Sequence, residues 1–130
     1  MTPTAVLAIG LDPRFADLRT MSQFTPELIR AYIDAEIERV RELGFEVETC
    51  LISPGQAAEV SIEAALRNRR FACVVFGAGL RQSTEHFLLF EKIVNLVHRL
   101  APSASIAFNS TPADTAEAIR RWVAPSPAEP

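Results

Sequence analysis

The residues best suited to hold a ligand lie in the stretch FGAGLRQSTEH, directly after an apolar run. Gly77 and Gly79 permit backbone conformations that other residues avoid, and Arg81 carries a fixed cation with five N–H donors. Ser83 or Thr84 begins a predicted helix, and the first N–H groups of a helix attract anions. The stretch therefore predicts an anion-binding turn. The alternative is a tight turn followed by an ordinary helix cap, with a solvated arginine.

Two further side chains are candidates for acid–base chemistry. Asp12 follows the first predicted strand, and His86 lies in the first turn of the third predicted helix, on its apolar side. Histidine titrates near neutral pH, so this pair would supply the acid and base if the protein is an enzyme. The alternative is that His86 is a packed, hydrogen-bonded residue.

The elements that position these residues alternate along the chain between short β-rich runs and longer helical patterns. Apolar or alternating runs predict four strands, at residues 5–10, 45–52, 71–77 and 104–109. Helical patterns and cap signals predict helices from Thr25 to Gly44 and at residues 61–69, 84–100 and 113–123. This alternation favours parallel strands with helices on both faces.

The predicted fold is a single doubly wound α/β domain over residues 1–123, with a four-stranded parallel sheet in the order 2-1-3-4. Strands 1 and 3 are apolar throughout, as central strands are, whereas strand 2 alternates polar with apolar residues as an edge strand does. This Rossmann-like order resembles flavodoxin-like folds in topology only, which carries no function. The Pro-rich residues 124–130 are predicted to be disordered.

In such sheets ligands bind beyond the carboxyl ends of the strands, where the strand order reverses. That place lies between strands 1 and 3. The residues predicted to bind a ligand there are Gly10, Arg14, Gly77, Gly79, Arg81, Ser83, Thr84 and Asn109.

The loop at residues 11–25 is longer than the 2 to 6 residues usual between a strand and a helix. Its first part, from Asp12 to about Arg19, predicts a short helix with Asp12 as N-cap. The rest, with Phe15, Met21 and Phe24, is predicted to fold over the crevice as a lid that brings Asp12 and Arg14 close to Arg81. The alternative is that the loop covers a sheet edge or a neighbouring subunit.

Composition excludes several classes of protein. The 130 residues carry 13 basic and 16 acidic side chains, giving a net charge of -3 without a basic patch, so nucleic acid is not an expected partner. No apolar run approaches the ~18 residues of a membrane helix, and the N-terminus lacks a signal pattern. We therefore predict a cytoplasmic protein.

Cys50 and Cys73 are predicted to lie two strands apart, too far for a disulfide.

Motifs of well-known enzyme classes are also missing from the sequence. GLDPRF stands where a dinucleotide fold carries its glycine motif, and Gly77 to Gly79 stand where a response-regulator receiver carries its phosphoacceptor aspartate. There is no Walker loop, nucleophile elbow or metal-ligand spacing. The sequence therefore predicts no metal site, and it does not identify a cofactor.

The helix predicted at residues 84–100 has an apolar arc of about 180°, wider than the stripe of a surface helix. The side of this arc with Leu89 and Leu96, joined by Leu88, predicts a homodimer contact. The alternative is burial under a neighbouring helix of the same chain.

Three functions follow from these observations. The first is a binding domain for an anionic, possibly phosphorylated, small metabolite at the crevice between strands 1 and 3. The second is a small enzyme that uses Asp12 and His86. The third is a non-catalytic, homo-oligomeric interaction module.

Overall fold

The computed structural model describes residues 4–16 and 23–126. Four strands and five α-helices follow one another in the order β1 (Thr4–Leu11), α1 (Pro26–Glu42), β2 (Phe45–Ile52), α2 (Gln56–Asn68), β3 (Cys73–Phe76), α3 (Ala78–Arg81), α4 (Phe87–Leu100), β4 (Ser105–Phe108) and α5 (Thr115–Arg120). Short 3-10 helices precede α1, α4 and α5, at Pro13–Phe15, Thr84–His86 and Pro112–Asp114.

The four strands form one parallel sheet in the order β2-β1-β3-β4. Leu7 pairs with Glu48 of β2 on one side and with Val74 of β3 on the other, so β1 and β3 lie side by side. This confirms the predicted doubly wound α/β fold and its strand order. It also confirms that the carboxyl ends of β1 and β3 are neighbours.

Two hydrophobic layers hold the helices against the sheet. Alternate side chains of a strand point to opposite faces, so Val6 and Leu7 of β1 belong to different layers. Helices α2 and α4 cover the face of Leu7, and α1 and α5 cover the face of Val6. Cys73 is buried in the layer of α1, whereas Cys50 packs against the layer of α2 and α4, so the two free thiols lie on opposite faces.

Several element boundaries differ from the sequence prediction. Helix α2 begins at Gln56, five residues before the predicted Ser61, because Gly55 at φ +127° turns the chain without any side-chain cap. Residues 78–81 form a one-turn helix within a predicted loop, and α5 covers only Thr115–Arg120 after a 3-10 turn.

The start and end of the described chain meet at the amino end of β1. The backbone N–H of Thr4 donates to Ser126 Oγ at 2.7 Å, and Thr4 Oγ1 donates to the carbonyl of Ala124 at 3.0 Å. Residues 124–126 of the predicted disordered tail therefore lie against the sheet, and residues 127–130 are outside the described part.

Candidate functional site

A cavity of the described chain, called the crevice below, lies between α1 and the carboxyl ends of the strands and has a volume of about 730 Å³. Gly10 at the end of β1 and Gly77 at the end of β3 line it, as do Ile33 of α1 and the segment after β4 that begins at Asn109. A volume of this size is typical of sites for small molecules. The crevice therefore occupies the place at which the topology predicts a ligand.

The crevice exists because side chains on the α1 face of the sheet become smaller toward the carboxyl end. On β1 they run from Val6 through Ala8 to Gly10, and on β3 Val75 is followed by Gly77. The C-terminal half of α1 fills the space above Val6 with Ile37 and Val40, which belong to the same buried cluster. Its N-terminal half faces Ala8 and Gly10 instead, and the missing side-chain volume is left open. A Cβ on Gly10 would lie 3.3 Å from Leu51 Cδ2, so this position has little room beside β2.

Asn109 organises the end of the crevice beside β4. Its Oδ1 accepts the N–H of Ala78 at 2.8 Å, and its Nδ2 donates to Thr115 Oγ1 at 3.0 Å. The Thr115 hydroxyl in turn donates to the carbonyl of Pro112. Asn109 is buried, and these bonds engage both the oxygen and the nitrogen of its amide, so it holds the starts of α3 and α5 in place.

Carboxylates of the chain itself occupy the N–H groups that would otherwise attract an anion. Asp114 Oδ1 accepts the N–H of Ser110 at 2.8 Å and of Thr111 at 3.1 Å. Burial raises the pKa of Asp114, but the backbone N–H groups of Thr111 and Ser110, the Ser110 side chain and the charge of Arg121 together lower it by more, so the net pKa lies below its ordinary value. Glu36 Oε1 likewise accepts the N–H of Ala116 at 3.2 Å. The start of α5 is thus capped internally.

Arg39 is the single arginine or lysine among the described residues that line the crevice, and it is already paired. Its Nη2 lies 2.9 Å from Glu36 Oε1 and 2.8 Å from Glu117 Oε1. The described lining therefore offers no cation free to neutralise a buried anionic ligand, and an unneutralised charge is costly to bury.

Arg81 points to the β4 side rather than into the crevice. Its Nη2 donates to the carbonyl of Asn109, and its guanidinium stacks over the ring of Phe108 at 5.8 Å. Its Nε is buried and has no hydrogen-bond partner among the described residues. Together with Ser83 and Thr84 it borders a separate, smaller depression of about 350 Å³.

Asp12 and Arg14 are engaged with each other. Asp12 caps the 3-10 helix by accepting the N–H of Arg14 at 3.0 Å, and its other carboxylate oxygen lies 2.9 Å from Arg14 Nη2. Side-chain hydrogen bonds from Arg14, together with the bond from its backbone N–H, lower the pKa of Asp12. Residues 17–22 lie outside the described part, and with them Met21 and the end of the predicted short helix.

His86 is buried, with 6% of its surface exposed, and it lies in the 3-10 turn before α4. Neither His86 nor Asp12 lies among the residues that line the crevice or the smaller depression. The structure therefore places the predicted acid–base pair at neither of these two cavities.

Of the residues predicted to bind a ligand, the structure brings Gly10, Gly77, Gly79 and Asn109 together at the crevice. Arg81, Ser83 and Thr84 lie together at the smaller depression, and Arg14 lines neither cavity. Sequence reasoning missed the apolar wall formed by Ala8, Leu51, Ile29 and Ile33. The signal that could have found it is the decrease in side-chain size along alternate positions of β1.

The described residues contain no group of three His, Cys, Asp or Glu side chains placed to hold a metal ion. None of the helices within residues 4–16 and 23–126 combines the length and apolarity needed to cross a membrane. No protein-family model matches this chain, and no curated protein is similar enough in sequence to be matched with it. A functional assignment therefore depends on the geometry of the crevice.

Proposed function

We propose that this protein is a binding domain for a small, predominantly apolar molecule that occupies the crevice. The observation that carries this proposal is the crevice itself, which combines a volume of about 730 Å³ with a wall built largely from Ala, Ile, Leu and Gly residues. Sites of this size and lining, at the point where strand order reverses, are where doubly wound domains bind ligands.

The charge pattern supports an apolar ligand over an anionic one. Asp114 and Glu36 occupy N–H groups at the start of α5, and Asn109 occupies the first N–H of α3. These are the donors on which a phosphate or carboxylate would otherwise depend.

The anionic, possibly phosphorylated metabolite predicted from the sequence is the second candidate. It is favoured by the smaller depression, whose lining includes Arg81 and two residues that carry hydroxyl groups, Ser83 and Thr84. This candidate predicts binding of inorganic phosphate or a sugar phosphate that Arg81→Ala abolishes.

A titration with the uncharged fluorescent dye N-phenylnaphthylamine tests the first candidate. We expect a saturable rise in fluorescence and an increase in thermal stability, since a ligand at 100 times its dissociation constant stabilises a protein by about 2.7 kcal/mol. Absence of saturable binding by the wild-type protein would overturn the proposal.

Two variants that fill the crevice from opposite walls locate the dye. Ala8→Leu adds volume from the sheet and Ile33→Trp adds it from α1, and each should weaken dye binding at least about tenfold by removing apolar contacts. Ala57→Leu is the matched control, because Ala57 is exposed on α2, which covers the opposite face of the sheet. Circular dichroism checks that each variant is folded. Unchanged affinity in both folded variants would place the dye elsewhere.

The homodimer and the cytoplasmic location predicted from the sequence are also part of this proposal. Phe87 and Leu88, in the first turn of α4, are 61% and 58% exposed and support an interface there. Leu89 and Leu96 are partly buried against the core of their own chain, which favours the predicted alternative for these two residues. Sedimentation at tens of micromolar protein tests the dimer, and a monomer would rule it out.

A further inference from the structure

The crevice runs across the sheet rather than along the strands. Its lining begins at Leu51 on β2, crosses Gly10 of β1 and Gly77 after β3, and reaches Asn109 after β4. Neighbouring strands are about 4.8 Å apart, so three steps span about 14 Å. A molecule that fills the crevice is therefore elongated.

The two ends of the crevice differ in chemistry. At the β2 end, Ile29 and Ile33 of α1 face Leu51, so this end is mainly apolar. At the β4 end, the lining includes the side chains of Gln82, Ser110 and Thr111. An elongated ligand thus meets hydrocarbon at one end and hydroxyl and amide groups at the other.

The polar side chains at the β4 end keep acceptor oxygens that a ligand could use. The Ser110 side chain bonds the Asp114 carboxylate and helps to lower its pKa, which leaves the Ser110 oxygen as an acceptor. No hydrogen bond joins Gln82 Oε1 to another residue within the described ranges. Gln82 Nε2 has one long bond, to the carbonyl of Ser110 at 3.4 Å. A ligand amide could donate to both Gln82 Oε1 and Ser110 Oγ, and a ligand hydroxyl could donate to either of them.

The same end disfavours a negative charge on the ligand. The Asp114 carboxylate bonds the backbone N–H of Ser110 itself, and Glu36 lines the crevice with only 11% of its side chain exposed. Arg39 is already shared between two carboxylates. A ligand carboxylate placed there would meet like charges without a free cation.

We propose that the crevice binds an elongated molecule with an apolar tail at the β2 end and an uncharged polar head, a hydroxyl or an amide, between Gln82 and Ser110. This inference rests on the proposed function and adds the ligand class and its orientation.

The test measures displacement of N-phenylnaphthylamine by three molecules with the same hydrocarbon chain: octanol, octanoate and octyl chloride. At pH 7 we expect octanol to bind at least about tenfold more tightly than octanoate. In the Gln82→Ala/Ser110→Ala variant, loss of the head contacts should weaken octanol about two- to tenfold and leave octyl chloride unchanged. The matched control is Ser61→Ala/Asn68→Ala, two exposed polar positions on α2.

The possible failures can be told apart. If the wild-type protein does not bind the dye, both the proposed function and this inference are wrong. If the dye binds but octanoate equals or exceeds octanol, the uncharged head is wrong and the binding function stands. If the double variant weakens octanol and octyl chloride equally, the placement of the head between Gln82 and Ser110 is wrong.

Discussion

The side-chain oxygen of Asn109 accepts the backbone N–H of Ala78 at 2.8 Å, which joins the segment after β4 to the first turn after β3. Both residues line the crevice. The bond uses the first backbone N–H group of α3, beside the point where the strand order reverses. The amide of Asn109 thus occupies a position at which other doubly wound domains bind ligand oxygens.

Replacing Asn109 by alanine should therefore destabilise the whole fold. The change leaves the N–H of Ala78 without its acceptor and Thr115 Oγ1 without its donor, at about 1–3 kcal/mol for each buried group. Urea denaturation measures the loss. Asn95→Ala is the control, since Asn95 is exposed on α4 and should change stability by less than about 0.5 kcal/mol. Equal stability of the two variants would contradict the role given to Asn109.

Stability should depend on the charge of Asp114 at low pH. Its pKa is held below the ordinary value of 3.8, so the folded state binds the proton more weakly than the unfolded state does. The stabilisation is complete above the unfolded pKa and is lost as pH falls through the lower, folded value. The Asp114→Asn substitution removes this pH-dependent stabilisation.

The measurement is urea denaturation of the wild-type and Asp114→Asn proteins from about pH 6 to about pH 2. We expect the wild type to be the more stable at pH 6 and the difference to shrink below about pH 4. A difference that stays constant with pH would show that the charge of Asp114 does not contribute.

Arg81 is predicted to contribute to stability and not to the affinity for the proposed apolar ligand. Arg81→Met keeps the hydrocarbon stem but removes the hydrogen bond to Asn109 and the guanidinium over Phe108. We expect a loss of about 1–3 kcal/mol in the free energy of unfolding and an unchanged affinity for N-phenylnaphthylamine. Arg67→Met, at an exposed position on α2, is the control. A stable Arg81→Met variant that had lost phosphate binding would favour the anionic candidate.

The two cysteines should differ in their reaction with Ellman's reagent. Burial raises the pKa of Cys73 to about 12, and burial followed by the charge of Glu48 raises that of Cys50. The thiolate is the reactive form, so at pH 8 Cys73 should stay unreacted in the folded protein, and Cys50 should react more slowly than a free thiol.

Both thiols should react quickly in denaturant. The Cys50→Ser variant leaves Cys73 as the remaining thiol. It serves as the control that assigns the unreacted thiol of the folded protein to Cys73. Rapid reaction of Cys73 in the folded protein would contradict its burial.

The sheet order was predictable because burial leaves a direct trace in the sequence. The strands at the centre, β1 and β3, are continuously apolar, and the edge strand β2 alternates, which sets the order 2-1-3-4. The start of α2 was not predictable from cap signals, because the helix follows Pro54 and Gly55 and has no side-chain cap. The sequence thus encodes the position of a strand in the sheet more strongly than the residue at which a helix begins.

The candidate site was predictable in part for a similar reason. Gly77 and Asn109 reach the crevice because topology places the ends of their strands there. The Arg81 side chain could bind the carbonyl of Asn109, stack on the ring of Phe108 or face solvent. Its direction depends on the folded arrangement and not on the local sequence. The pairing of Arg14 with Asp12 is local, and the spacing of two residues already allowed it.

The bond between Thr4 and Ser126 has a practical consequence for biosensing. It holds both described ends of the chain at the amino end of β1, whereas the crevice lies at the carboxyl end, eight residues or about 25 Å away. A surface anchor attached at either described end would orient the molecule with its opening toward the flowing solution. Immobilised protein should then keep the crevice open to the solution without obstruction by the support.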